Sequence, residues 1–533
     1  MAAVLTGTGT LFSLALRRDW VRVLVWVASL GLGTVAIAKT FAGIYATDAD
    51  KQAVLVTMDS PAGLAFTGPA HYLSDYTNGS ILSHQMLGFT TILVGIMSVL
   101  FVVRHTRTEE EVGRAELVRA TPVGRYAHLA SALLLAGVVN IALAVLLALL
   151  LPLTGIETLT WAGSLLFGAA HAAVGLTFAG VAAVTAQLTE SSRGANGLGI
   201  AAVGAAYLLR ASGDAAKSNL SWASPIGWAQ RSFPYLDNRW WPLALNLGAF
   251  VTLAALAMML SARRDLGSGM RAPRRGRASA TALVRTPLGL TLRLHRGMFI
   301  GFATGLGLLG MSYGPFLGDI ETQFKDISFI DETLEAIGGT TLIDSFLTML
   351  MTILAVVAGV YGVMAVLRAR SEETSGRGEQ VLGTLQSRTT FLGNHVAIAL
   401  LGSATILLLA ALLLGVTGQS TVGQAVIGKS VVAALTQIPA MWVVIGFATL
   451  LIGWAPRAKA LAWVLLGYAG FVGYLGRFLR LPDSAGRLSP FSWLPGYPAE
   501  QLTLLPLIVL TFVAAGLIVL GLLGFRRRDL DTG

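Results

Sequence analysis

Along the chain, long apolar runs alternate with short polar, glycine-containing or charged breaks, and the length of the runs decides the class of protein. The hydrocarbon layer of a bilayer is roughly 30 Å thick and takes about 20 apolar helical residues to cross. Runs of that length centre near Val27, Val94, Ile141, Leu176, Val203, Leu253, Leu306, Leu354, Ile406, Val443, Leu466 and Ala514. In lipid every backbone N–H and C=O must be satisfied within its own segment, so these runs predict helices. The expected fold class is an all-α polytopic membrane protein with about 12 transmembrane helices.

Composition agrees, with 54% hydrophobic and 12% charged residues over 533 positions. The chain has no cysteine, which excludes disulfides, thiolate metal sites and a cysteine nucleophile. The first apolar run follows an amphipathic segment ending in Arg17 and Arg18. No small-residue cleavage pattern follows closely, so this run is expected to remain as an anchor.

A net charge of +10 would suit nucleic acid, but the basic residues sit between the spans. With the N-terminus inside, about 27 of the 38 Lys and Arg fall in cytoplasmic segments, as the positive-inside rule requires. The opposite loops are acidic: Asp48, Asp50, Asp59 and Asp75 in one, Asp319, Glu321, Asp326, Asp331, Glu332 and Glu335 in another. Both termini are therefore expected in the cytoplasm. "RAPRRGRASA" at 271–280 reads as a basic linker against anionic lipid, and no nucleic-acid partner is expected.

The two halves repeat one another. "EEEVGRAELVRATPVGR" begins at Glu109 and "EETSGRGEQVLGTLQSR" at Glu372, each after the second apolar run of its half. Aligned 263 residues apart, Glu109, Glu110, Gly113, Arg114 and Glu116 meet Glu372, Glu373, Gly376, Arg377 and Glu379. "ARRDL" at Ala262 likewise matches "RRRDL" at Arg526, and "SPIGW" at Ser224 matches "SPFSW" at Ser489. The expected organisation is a first six-span half at 1–265, a basic cytoplasmic linker at 266–290 and a second six-span half at 291–533. Each half starts inside, so the copies are expected to be parallel, related by a pseudo-twofold along the membrane normal.

"GQAVIGKS", from Gly423 to Ser430, satisfies the phosphate-loop pattern G-x-x-x-x-G-K-[ST] through Gly423, Gly428, Lys429 and Ser430. That pattern works as a turn between a short buried strand and a helix. Here a run long enough to span, Ala397 to Val416, precedes it, and the repeat counterpart "LTWAGSLL" has no Gly-Lys-Ser. The stretch is read as an interfacial lysine at a helix start. No cofactor is expected on this chain.

If helical, the paired E-E-x-x-G-R-x-E segments place acidic and basic residues three to four apart, giving local ion pairs and an exposed charged face. A merely solvated connection would not require the same glycine, arginine and three glutamates twice, so they are read as docking segments. At these residues the sequence resembles the cytoplasmic coupling segment of ABC-type-2 exporter permeases. Two fused six-span halves are similar to the actinobacterial tetronasin-type multidrug exporter permeases, over essentially the whole chain. The resemblance implies two parallel six-helix repeats of the ABC-type-2 permease fold in a bacterial plasma membrane. It implies two copies of a separate ATPase subunit, with ATP and Mg on that partner, and hydrophobic or amphiphilic antibiotics as cargo. Glu109, Glu110, Gly113, Arg114 and Glu116, with Glu372, Glu373, Gly376, Arg377 and Glu379, are the expected ATPase-coupling residues.

"LFSLALRRDW" at 11–20 and "LTLRLHRGMF" at 290–299 read as interfacial amphipathic helices, which either anchor their spans or brace the ATPase contact. The Ser-, Pro- and Trp-rich segments 212–240 and 478–499 read as re-entrant caps or as aromatic belts. Asn140, His171, Asn246 and Gln437 sit within spans, where polar groups are costly. They either bond between helices or line a substrate path, to which Met441 is a further candidate.

Two other function classes were weighed. An ion-coupled secondary carrier that relays protons needs ionisable groups at membrane depth, yet the carboxylates fall in loops or near span ends, with Asp344 nearest to an exception. An intramembrane enzyme would need His/Glu metal spacing, and "HTRTEEE" at His105 lacks it. A non-transporting membrane anchor or sensor for the same ATPase is the remaining alternative. The favoured expectation is a permease subunit without its own catalytic site, working by alternating access.

Overall fold

The computed structural model describes residues 4–265, 267–270, 279–324, 342–374, 376–383, 387–475 and 486–529. Residues 271–278 of the basic linker lie outside these, as do Asp326, Asp331, Glu332, Glu335 and Thr384 to Gln386, and the side chains of Arg377, Asp319 and Glu321. The chain forms two compact units, Met1–Arg275 and Gly276–Gly533.

The first unit contains α1 (Thr8–Ile44), α2 (Asp48–Met58), α3 (Pro61–Phe66), α4 (Asn78–Arg104), α5 (Arg107–Glu111), α6 (Arg114–Arg119), α7 (Ala127–Leu150), α8 (Trp161–Leu188), α9 (Ser192–Ala215), α10 (Pro225–Gln230) and α11 (Trp241–Ala262). The second contains α12 (Pro287–Phe324), α13 (Leu342–Thr374), α14 (Arg377–Leu382), α15 (Arg388–Val422), α16 (Ala425–Trp454), α17 (Leu461–Leu475) and α18 (Leu504–Arg527). The described residues contain no strand, and the protein is an all-α polytopic membrane protein.

All twelve expected centres fall inside helices, and ten of those helices, among the described residues, are long and apolar enough to cross a membrane. The other two are α9 and α17. In α9 glycines and the charged Arg193, Arg210 and Asp214 dilute the apolar run. In α17 the described helix is 15 residues long.

Short polar side chains start the helices. Thr77 accepts from the Ser80 N–H at α4, Thr160 from Gly163 at α8, Ser191 from Gly194 at α9 and Ser387 from Thr390 at α15. Each satisfies an amide that the first helical turn leaves open.

Each unit has the same plan. α8 sits at the centre of the first, packed by α4, α7, α9 and α11; α16 sits at the centre of the second, packed by α13, α15 and α18. The apolar stretches of α8 and α16 are each 72% buried, against 17% for α11 and 22% for α18. The peripheral helices therefore turn leucine, valine and phenylalanine outward, as at Leu504, Leu505 and Phe512. A surface so apolar suits hydrocarbon and not water.

Glycine sets the closest approaches. A Cβ at Gly453 would lie 2.1 Å from the Gly521 carbonyl oxygen, and one at Gly310 would lie 2.2 Å from that of Ala410. These are the backbone contacts that drive helix association where no hydrophobic effect operates.

Candidate functional site

The glutamate-rich segment of the first unit forms α5 and α6, a short two-helix connector between α4 and α7. Gly113 joins them at φ 74°, and Gly376 precedes α14 at φ 71°. At neither glycine would a Cβ meet an atom within 4 Å. The requirement is therefore one of backbone conformation, the left-handed region that glycine enters without strain.

The glutamates divide the work of holding this connector down. Arg18 on α1 donates to Glu109 (2.5 Å), with Arg114 more distant at 3.4 Å. Glu110 accepts both arms of Arg264, just beyond α11, at 2.5 and 2.8 Å, and Arg107 at 2.5 Å. Glu111 accepts the backbone N–H of Ser192 (2.8 Å) and its hydroxyl, at the start of α9. The side chains of Glu109 and Glu110 are 10% and 7% exposed. Buried carboxylates of this kind must be paired, and each pair is made within the unit.

The tail of the segment is fastened in the same way. Gly124 N–H donates to the Thr6 carbonyl (2.9 Å), Tyr126 N–H to that of Val4 (3.1 Å), and Arg125 to the carbonyl of Ala262. The amphipathic stretch at 11–20 is the beginning of α1, one continuous helix of 37 residues. Its Asp19 is buried and accepts from Arg104 (2.7 Å), His105 (2.8 Å) and Arg22.

What remains exposed is a charged face, with Glu111, Arg114, Glu116, Arg119 and Arg125, that also carries apolar side chains. Glu111, Val112, Arg114, Glu116, Leu117 and Pro122 are exposed, with Leu117 at 74% and Val112 at 56%. The outward surface thus sets Val112 and Leu117 among charged side chains, while Glu109 and Glu110 are paired beneath it.

The second unit repeats the clasp. Glu373 accepts both arms of Arg528 at 2.6 and 2.8 Å and forms an ion pair with Arg370 at 2.9 Å. In the tandem alignment these are the counterparts of Glu110, Arg264 and Arg107. Arg388, the counterpart of Arg125, donates to the Arg528 carbonyl (2.6 Å). Glu372 is buried with Arg368 at 3.4 Å, and Glu379 is exposed like Glu116. "ARRDL" and "RRRDL" mark the repeat in the sequence, but that their third residue, Arg264 or Arg528, grips the second glutamate is not visible there. Their duplication in step with the glutamates was the available signal.

The path candidates lie between helices. Asn140 donates to Ser98 (2.9 Å) and the Ala136 carbonyl (2.8 Å), while its Oδ1 faces Gly175, where a Cβ would come within 1.8 Å. His171 Nδ1 lies 2.8 Å from the Phe167 carbonyl, which only accepts, and its Nε2 lies 2.7 Å from the Thr90 hydroxyl. Asn246 accepts from Thr177 (2.9 Å), and Gln437 donates to Thr352 (3.4 Å). Asn140 Oδ1, Asn246 Nδ2 and Gln437 Oε1 are buried with no partner among the described residues. Met441 is buried in the core of the second unit.

The phosphate-loop stretch is a helix–helix turn. Gly423 ends α15 at φ 98°, and α16 begins at Ala425, so the residues between the two glycines are mostly the first turn of a helix. Lys429 donates to both oxygens of Asp344 on α13, at 2.7 and 2.9 Å.

In the first unit the loops at the opposite end of α4 from the connector pack together. Arg210 is fully buried and donates to the Ala65 carbonyl (3.1 Å), near the end of α3. Gln230 donates to the Thr67 carbonyl (2.6 Å), and the Tyr72 hydroxyl donates to the Gln230 carbonyl (2.9 Å). Segment 212–240 thereby forms a buried cap over α3 and α4. At its rim Asp237 accepts from His71 (2.8 Å), and this contact, with Arg239 beside it, holds the Asp237 carboxyl below its ordinary range.

Ten membrane-capable helices among the described residues, with a similar ion-pair clasp in each unit, define a polytopic helical membrane protein. The family model described as "Multidrug efflux system permease Rv1217c, C-terminal domain" matches residues 9–260 and 284–526. The multidrug efflux system permease protein Rv1217c of Mycobacterium tuberculosis (strain ATCC 25618 / H37Rv) is 38% identical over 532 residues, covering 98% of this chain and 95% of that one. The chain belongs to this permease family.

Proposed function

We propose that this chain is the permease subunit of an ATP-driven exporter that expels hydrophobic or amphiphilic drugs. The observation that carries the proposal is the duplicated clasp. Arg107–Glu110–Arg264 ties the first connector, and Arg370–Glu373–Arg528 the end of α13 that leads into the second, to a residue just beyond the last helix of the unit. A push on the connector would then move that helix with it, as transmission from an external motor requires. The exposed Leu117, Val112 and Glu116 offer an apolar, charge-rimmed knob suited to a protein groove.

In this reading the connectors and both termini face the cytoplasm of a bacterial plasma membrane. Two copies of a separate ATPase bind ATP and Mg, the connectors pass their closure to the helices, and access alternates across the membrane. The permease name of the relative supports drug cargo. The turn geometry at Gly423 and the engagement of Lys429 with Asp344 support a chain that binds no nucleotide itself.

The test is co-purification with a co-expressed ABC ATPase subunit from the same organism, followed by hydrolysis measured with a panel of amphiphilic drugs. Stable association and drug-stimulated hydrolysis are expected. Drug export that continues without ATP, driven by an ion gradient alone, would overturn the proposal.

A further inference from the structure

Within the second unit a cavity of about 880 Å³ opens between α12 and α15, with Tyr361 of α13 at its floor and residues 279–284 along its edge. That size lies in the range of roughly 300–1,000 Å³ typical of small-molecule sites. Leu288, Leu292, Phe299 and Leu401 make its walls apolar.

Its polar groups are few and of one kind. Arg293 and Arg296 line it, no carboxylate does, and among the described residues neither arginine makes an ion pair. Deeper in, the Tyr361 hydroxyl is buried with no partner among the described residues, and it lies where a Cβ on Gly402 would come within 2.5 Å of it. His295 is likewise buried. Its Nε2 lies 2.9 Å from His395 Nδ1, and its own Nδ1 has no partner among the described residues. His395 also bonds the Ala365 backbone. The His295 ring borders the cavity.

Orphaned buried polar atoms are costly and are normally satisfied. Here the two residues that carry such atoms, Tyr361 and His295, border the same apolar cavity, and two guanidinium groups without an ion pair among the described residues share it. We propose that the cavity binds an acidic amphiphile: a carboxylate or phosphate head at Arg293 and Arg296, and a single apolar body carrying a hydroxyl that meets Tyr361 and His295. This site goes beyond the export reading and does not depend on it, since a resident lipid and a passing cargo share the chemistry.

The full chain, purified in nanodiscs of neutral lipid, is titrated with three probes of equal chain length: ricinoleate, oleate and methyl oleate. Oleate should bind about tenfold more tightly than its neutral ester, the effect of a charge-assisted contact. Ricinoleate, with its mid-chain hydroxyl, should gain about a further threefold. R293Q with R296Q should erase the first difference, and Y361F the second. These arginines are exposed and the hydroxyl is unpartnered, so melting should be unchanged.

Equal affinity for oleate and methyl oleate would overturn the acidic head, and a ricinoleate preference that survives Y361F would overturn the inner contact. Competition by acidic phospholipid without ATP-dependent release would identify the occupant as lipid. Release on ATP addition with the ATPase bound would identify it as cargo.

Discussion

Arg264 holds Glu110 with both guanidinium arms, at 2.5 and 2.8 Å, across 154 residues of chain. Both side chains are nearly buried, at 6% and 7% exposed. The planar fork of arginine matches a carboxylate in a way lysine cannot, adding direction to charge. Arg528 repeats the arrangement on Glu373 in the second unit. The two glutamates most easily read as partner contacts are therefore structural, and that changes what their mutation should do.

Glu110→Ala leaves the guanidinium groups of Arg107 and Arg264 without their shared carboxylate. Breaking a buried pair from one side costs about 3–5 kcal/mol, so the melting midpoint of the purified protein should fall clearly. A double-mutant cycle with Arg264→Met should give a coupling of about 1 kcal/mol or more. Additive effects would remove the clasp from the account.

Glu116→Lys and Leu117→Ala should behave in the opposite way. Both residues are exposed, and surface changes away from packed features stay within about 0.5 kcal/mol of neutral. Melting should hold, while ATPase retention on affinity resin and drug-stimulated hydrolysis fall by about tenfold, as for a central apolar anchor. Normal retention with both variants would move the docking surface elsewhere.

Lys429→Ala should leave ATP hydrolysis by the assembled transporter nearly unchanged. Its cost should be to stability instead, about 1–3 kcal/mol, because the buried Asp344 loses a charge-assisted donor. Hydrolysis abolished at normal assembly would restore the phosphate-loop reading of Gly423 to Ser430.

One copy of this chain should assemble with two ATPase subunits, because each half carries its own connector and its own clasp. Native mass spectrometry of the drug-stimulated complex measures this directly. Two permease chains, or one ATPase subunit, would contradict the duplication as a built-in pair of docking places. Thr121-Pro122-Val123 stands where the second half has Thr384-Leu385-Gln386, so substitutions in the first connector are expected to be tolerated less.

Hydrophobic length alone determined that this is a helical membrane protein, because hydrocarbon admits few ways of satisfying a backbone and helices are the one a single run can supply. Residue identity at a fixed offset determined the duplication and located both connectors. It also marked Gly113 and Gly376, whose left-handed backbone is a local property that a sequence can carry. Which way a side chain faces is not local. Glu109, Glu110 and Glu116 look alike in the sequence, yet the first two turn inward because Arg18 and Arg264, far away in the chain, arrive beneath them. Lys429 likewise belongs to Asp344, 85 residues earlier, because α13 and α16 pack side by side. The helix count shows the same boundary: α9 reads as a span by position, but Arg210 and Asp214 can be buried in it because folded loops supply carbonyl and charged partners. Only the tertiary structure brings such partners together, since each pairing depends on where whole helices come to rest.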